Sequence, residues 1–244
     1  MIKIKRPQCP QLLKMQRKNC NDYNKTKVVK ALWKMQKKKC CYCESLIPEA
    51  GHMKAVEHFR PKSIFRNLTN HWPNLLLSCS QCNGKKSDKF PMKLCNKNGQ
   101  NSVIWLKKDS KNRSLINKFG KLLLINPSDP NVNPENELDY ILDDTEVYFG
   151  QIIHKTELGE ATIKVIELNS VLYISKRRDC YRRKLYPALL NLCEAMDRED
   201  INEIRIKKAT FEALLNSESE LAGFARSFAR YKKMDKRYKI TIPT

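Results

Sequence analysis

Two C-x-x-C pairs, Cys40-Cys41-Tyr42-Cys43 and Cys79-Ser80-Gln81-Cys82, constrain this 244-residue chain more than any other feature. The two residues between paired cysteines make a tight knuckle that lets both thiolates reach one ion at about 2.3 Å, and two knuckles complete the tetrahedral set that zinc takes. The chain must therefore fold back so that Cys40, Cys43, Cys79 and Cys82 converge. Thirty-five residues separate Cys43 from Cys79, more than the roughly 15–20 of a simple ribbon, so a structured insert lies between the knuckles. Cys41 competes with Cys40 as a ligand, although only Cys40 has the two-residue gap. Four thiolates leave no coordination position for water, so such a site braces the fold and does no chemistry. Cys9, Cys20, Cys95, Cys180 and Cys193 have no spacing partner and read as packing residues.

Charge narrows the partners. Forty-seven Lys and Arg against 26 Asp and Glu give a net +21, a balance that repels itself unless a polyanion neutralises it, and nucleic acid is the usual one. No stretch approaches the roughly 18 consecutive apolar residues of a membrane span, and the first 18 residues hold no apolar signal core. The expected location is the cytoplasm, with no membrane partner, where ten cysteines serve as metal ligands and core residues rather than disulfides.

The charge is also segregated. Residues 1–48 carry thirteen basic side chains against Asp22 and Glu44, residues 223–239 carry seven against Asp235, and residues 126–150 hold seven acids with no Lys or Arg. The acidic stretch repels nucleic acid, so it faces away from substrate, docks on a basic partner, or is an ordinary acidic loop. Val28, Ala31, Leu32 and Met35 recur at helical spacing, predicting an amphipathic helix over 26–38. Prolines 127, 130 and 134 predict a helix-free surface loop at 126–136, with short strands near 122–125, 138–142 and 146–149. Beyond Gly159 the pattern is helical, with packing stripes Tyr181, Leu185, Leu189, Leu192, Met196 and Leu221, Phe224, Ala225, Phe228, Tyr231. Four segments follow: 1–39, basic and helical; 40–97, the cysteine-braced unit; 98–158, short strands and the acidic loop; 159–244, helical.

Between the knuckles stand Glu57-His58-Phe59-Arg60-Pro61-Lys62 and then Asn74-Leu75-Leu76-Leu77, with Asn83-Gly84-Lys85-Lys86-Ser87-Asp88 after the second. A carboxylate beside an imidazole on one strand, an Asn opening a second strand and an Asn starting a helix resemble the HNH, or ββα-metal, nuclease motif. Phosphodiester hydrolysis needs an activated water and a cation to take up charge on the phosphate, and an imidazole with an ordinary pKa near 6.5 suits the base. The resemblance implies His58 as general base and Asn74 as the residue that pins the loop orienting it. It implies Glu57 and Asn83 as oxygen ligands of a catalytic Mg²⁺ or Mn²⁺. Glu57, next along the strand, points to the opposite side from His58. Arg60, Lys62, Lys85 and Lys86 either hold phosphates or are solvated surface cations. His52, His71 and His154 read as structural, with His71 in reserve.

The fuller wording, Cys40-x-x-Cys43-Glu44, Glu57-His58-Phe59-Arg60-Pro61-Lys62, Trp72-x-Asn74-Leu75 and Cys79-x-x-Cys82-Asn83-x-Lys85-x-x-Asp88, with the later Leu124-Ile125-Asn126-Pro127, is similar to the PtuB family, the HNH subunits of Septu anti-phage systems. That resemblance implies an α+β fold: a zinc-braced ββα-metal (HNH) nuclease core, a short β segment and a helical C-terminal part. It also implies a nuclease regulated by a PtuA-type ABC-like ATPase, with retron RNA and DNA as partners in some relatives; the substrate is nucleic acid, DNA foremost, with RNA left open. No Walker-type phosphate loop is present, so the ATPase is a separate chain. A non-catalytic zinc module binding nucleic acid, and a stand-alone HNH restriction or homing endonuclease, are the alternatives.

Overall fold

A computed structural model describes residues 1–14, 22–49, 53–95, 101–106 and 120–243; Cys20 and His52 lie outside them. Helix α1, Thr26–Met35, seats Val28 and Leu32 in the core. Each such burial contributes about 1.5–3 kcal/mol. The helix stops short of residue 38 because Lys37 and Lys38 take positive φ, 54° and 63°, conformations that end a right-handed helix.

The first knuckle follows, and then strand β1, Lys54–His58, antiparallel to β2, Leu75–Cys79, from Lys54 opposite Cys79 to His58 opposite Leu75. Every residue of β2 is buried. Helix α2, Ser80–Lys86, starts directly from β2 and completes a ββα unit, with Cys79 accepting at its own sulfur from the Cys82 N–H. On the other side of β2, the Gln36 amide meets Leu77 as a peptide group would. The Leu77 N–H donates to Oε1 at 2.7 Å and Nε2 donates to the Leu77 carbonyl at 2.6 Å.

Strands β3 (Pro91–Cys95), β4 (Asn101–Trp105) and β5 (Gly120–Leu122) form an antiparallel sheet in the order β4-β3-β5. Strands β6 (Leu138–Tyr140) and β7 (Ile152–His154) pair as a third small sheet. The strand expected near 122–125 lies earlier, as β5, and overlaps it only at Leu122, and two further expectations fail. Pro134 opens a helical turn, Pro134–Glu137, capped by Asn133, because proline suits the first helical position. Residues 146–149 form turns rather than a strand, since Arg178 takes the carbonyls of Val147 and Phe149 at 2.6 and 2.8 Å. Those are bonds a partner strand would otherwise make.

The C-terminal part is helical: α3 (Glu157–Ile166), α4 (Val171–Cys180), a π-helical turn over Tyr181–Leu185, α5 (Tyr186–Asp197), α6 (Ile201–Leu215), α7 (Ala222–Tyr231) and α8 (Met234–Tyr238). One hydrophobic cluster joins Leu32, Tyr42, Leu76, Ile125, Tyr173 and Phe224, so the segments share a core. No helix among the described residues is long and apolar enough to cross a membrane.

Part of the acidic stretch is answered from within the chain. Glu135 pairs with Arg226 at 3.0 Å and Arg230 at 2.9 Å on α7, Asp139 with Lys155 at 3.3 Å, and the Tyr181 hydroxyl donates to Asp144 at 2.6 Å. Glu135 thus ties the acidic stretch to the basic C-terminal run.

Candidate functional site

The cysteine spacing does what it requires. One Sγ each from Cys40, Cys43, Cys79 and Cys82 lie within 4.8 Å of one another, and Cys43 and Cys79 are 3.9 Å apart. A tetrahedron with bonds of about 2.3 Å has edges of about 3.8 Å, so the four sulfurs fit zinc, and Cys41 is outside the set. Burial raises the Cys40 thiol, while hydrogen bonds from Cys40, Cys43 and Cys82 pull Cys79 down. Four sulfurs this close cannot all ionise beside one another without a cation between them. From α4, Tyr173 brings its hydroxyl to 3.1 Å from Cys82 Sγ. Sequence gives no hint of this contact, which spans 91 positions.

Across the ββα unit, successive residues of β1 face opposite ways. His58 is 8% exposed, and its Nε2 lies 2.9 Å from the Thr69 carbonyl. A carbonyl only accepts, so Nε2 carries the hydrogen and Nδ1 keeps its lone pair. Tyr23, just before α1, sets its ring edge-on to the imidazole at 4.6 Å. Burial, with Lys62 and Lys86 nearby, lowers the His58 pKa to about 4 against the pull of the Thr69 bond. The imidazole is thus neutral at ordinary pH.

Asn74 closes the loop beside it. Its Oδ1 accepts from the Arg60 N–H at 2.7 Å, and its Nδ2 donates to the carbonyls of Arg60 and Leu68 at 3.0 and 3.2 Å. The loop carrying Thr69 is thereby held against the end of β1.

Glu57 faces the other way and is buried. Its Oε1 meets Lys86 Nζ at 2.7 Å and accepts from the Tyr42 hydroxyl at 3.2 Å. Burial raises its pKa against the opposing pull of Lys86. Lys86 is fully buried and also donates to the His58 carbonyl at 3.0 Å. It is not a surface cation, so the phosphate-holding expectation for Lys86 is corrected: its ammonium is spent inside the ββα unit.

The other candidates differ among themselves. Asn83 is half-buried on α2, with Oδ1 3.5 Å from Ser78 Oγ. Arg60 is half-buried over Phe65 and Phe90, Lys62 is exposed and donates to Tyr23 at 2.8 Å, and Lys85 pairs with Glu167 of the helical part. His71 and His154 are exposed. Nothing in the sequence marks Tyr23 or Tyr42 as site residues, although Tyr42 sits inside the first knuckle.

A two-stranded antiparallel sheet, a helix continuing directly from its second strand, and an imidazole and an Asn where the strands meet define the ββα-metal arrangement. Residues 40–89 match the HNH endonuclease family. The chain is similar to Septu protein PtuB of Bacillus thuringiensis, 39% identical over 95 residues that cover 35% of this chain and 37% of the relative. It is also similar to Septu protein PtuB of Bacillus mycoides (strain KBAB4), 36% identical over 84 residues, covering 29% and 28% respectively. The matches thus span less than two-fifths of these curated relatives. No solved structure matches this chain.

Proposed function

We propose that this chain is a metal-dependent endonuclease of anti-phage defence, hydrolysing phosphodiester bonds of nucleic acid, DNA foremost, under the control of a PtuA-type ATPase. The observation that carries the chemistry is His58. A buried, neutral imidazole whose Nε2 hydrogen is engaged by the Thr69 carbonyl offers Nδ1 as proton acceptor for an attacking water. Asn74 fixes that geometry through the loop. Arg60 and Lys62, flanking the end of β1, are the side chains suited to hold phosphate oxygens.

Glu57 and Asn83 are the oxygen donors proposed for Mg²⁺ or Mn²⁺, an ion that would supply charge neutralisation at a phosphate. Glu57 faces away from His58, however, and its Oε1 is already held by the buried Lys86 ammonium at 2.7 Å, so a metal there would have to displace that ammonium. The Lys86 ammonium already neutralises Glu57. The same contact favours a second reading, a zinc-braced nucleic-acid-binding module in which the ammonium replaces the metal and nothing is cleaved. The names of the relatives support a Septu role; a PtuA-type ATPase, and retron nucleic acid in some assemblies, are the partners this reading proposes.

Nicking of plasmid DNA with Mg²⁺ or Mn²⁺, alone and with the ATPase, tests this. Wild type is expected to cut and His58→Ala to be slower by the roughly 10²–10⁴-fold typical of a lost general base. Equal rates would place the base elsewhere. Binding without cleavage under any metal, with or without the ATPase, would favour the second reading.

A further inference from the structure

Helix α1 lies outside the HNH match, and its outer face is a row of cations. Lys27, Lys30 and Lys34 fall at i, i+3 and i+7, on one side of the helix and opposite Val28 and Leu32, as the 3.6-residue period demands. All three are exposed. No Asp or Glu occurs between Asp22 and Glu44. Among the described residues only Lys30 has a carboxylate within reach, Glu49 at 3.6 Å, with both side chains more than half exposed. Among the described residues Lys25, Lys27 and Lys34 have no acidic partner.

The row does not end in open solvent. At the N-terminal end of α1, Tyr23 packs on the His58 ring and accepts from Lys62, so the cations run directly from the candidate base. Between α1 and β1 lies a groove of about 450 Å³ with Lys30, Trp33, Lys54 and Glu49 in its walls, an aromatic ring beside cations of the kind that accommodates nucleotides, with Glu49 the one acid among them. At 1.5 Å per residue, Lys27 to Lys34 spans about 10 Å, close to three nucleotides at about 3.4 Å each along one strand.

We propose that the α1 ridge is the track for the substrate's phosphate backbone, delivered to His58 past Tyr23 and Lys62, so that much of the nucleic-acid grip lies N-terminal to the HNH motif. This rests on the nuclease reading above. Continuity with the His58 site favours nucleic acid over an acidic protein surface, which has no reason to be led to an imidazole.

The test measures binding of a 30-base-pair DNA duplex by anisotropy from 50 to 200 mM salt, in the His58→Ala background to prevent cutting. Lys27→Gln, Lys30→Gln and Lys34→Gln together form the ridge variant, with Arg182→Gln, Arg183→Gln and Lys207→Gln as a charge-matched control. Each lost phosphate contact lowers the slope of log affinity against log salt by about 0.9. The ridge variant is expected to lose about 2.7 from that slope, so over this range the His58→Ala parent loses about 40-fold more affinity than the ridge variant. The control is expected to behave as the parent, and circular dichroism melts to show both variants folded.

A ridge variant with the parent's slope overturns the proposal while leaving the nuclease reading intact if wild type cuts. The same slope with weakened capture of the ATPase reassigns the ridge to protein docking, which also overturns it. Failure of the parent to bind and of wild type to cut removes both.

Discussion

Replacing Lys86 with Met removes the cation from a carboxylate that has almost no water to fall back on. The Glu57 side chain is 3% exposed and that of Lys86 0%. Without the ammonium, Oε1 keeps only the Tyr42 hydroxyl, and the His58 carbonyl loses its donor. Breaking a buried pair from one side costs about 3–5 kcal/mol. Protonation sets a ceiling on the charge penalty: binding a proton at pH 7 to a carboxyl whose ordinary pKa is about 4.3 costs about 3.7 kcal/mol, and about 1.4 less for each pH unit lower.

The sign follows from proton counts. In Lys86→Met the folded state holds Glu57 protonated to higher pH than the unfolded chain does, so folded protein binds more protons and stability falls as pH rises above about 4.3. Urea unfolding of wild type, Lys86→Met, Glu57→Gln and the double variant, at pH 5 and pH 7, measures this. Comparing each variant with wild type at the same pH cancels the titration of every other group. The Lys86→Met penalty is expected to be several kcal/mol at pH 7 and smaller at pH 5, with the double variant recovering part of it. A penalty below about 1 kcal/mol at pH 7, or one indifferent to pH, would refute the buried pair.

Two further outcomes follow from the same unit. Asn74→Ala removes an amide that makes three bonds to the loop, leaving the Arg60 N–H unpaired in a half-buried position; a loss of about 2–4 kcal/mol in chemical denaturation is expected, and less than 1 would show that the loop holds itself. Purified protein is expected to contain one zinc per chain. Stripping it should unfold the ββα core, because the roughly 10–16 kcal/mol of a structural zinc site rivals the whole stability of a domain. Unchanged circular dichroism after complete removal would contradict a bracing role.

What was legible in the sequence is what local spacing encodes. The knuckles announce themselves because two residues are what one ion needs between thiolates, and α1 because Val28, Leu32 and the lysines repeat with the helical period. Asn74 was legible only through the company it keeps with His58 and the second knuckle. The strand expected at 146–149 failed because its backbone bonds are taken by Arg178, thirty residues away in the chain, and Val147, 81% exposed, has no core to face. The place of Lys86 is not legible in the sequence because lysine is ordinarily a surface residue, and only the packing of α2 against β1 brings it to Glu57. Tyr173 and Tyr23 reach their sites by tertiary contact, which no spacing rule records.

The Gln36 amide has a consequence beyond the unit it completes. Strand β2 is a short apolar row, Leu75-Leu76-Leu77, paired on one side with β1, and a bare opposite margin of this kind recruits strands from neighbouring molecules. Gln36 caps it with a mimic of a peptide group at Leu77, and the Cys41 N–H adds a bond to the same carbonyl. At Leu77 that margin therefore has no free peptide group to offer another strand.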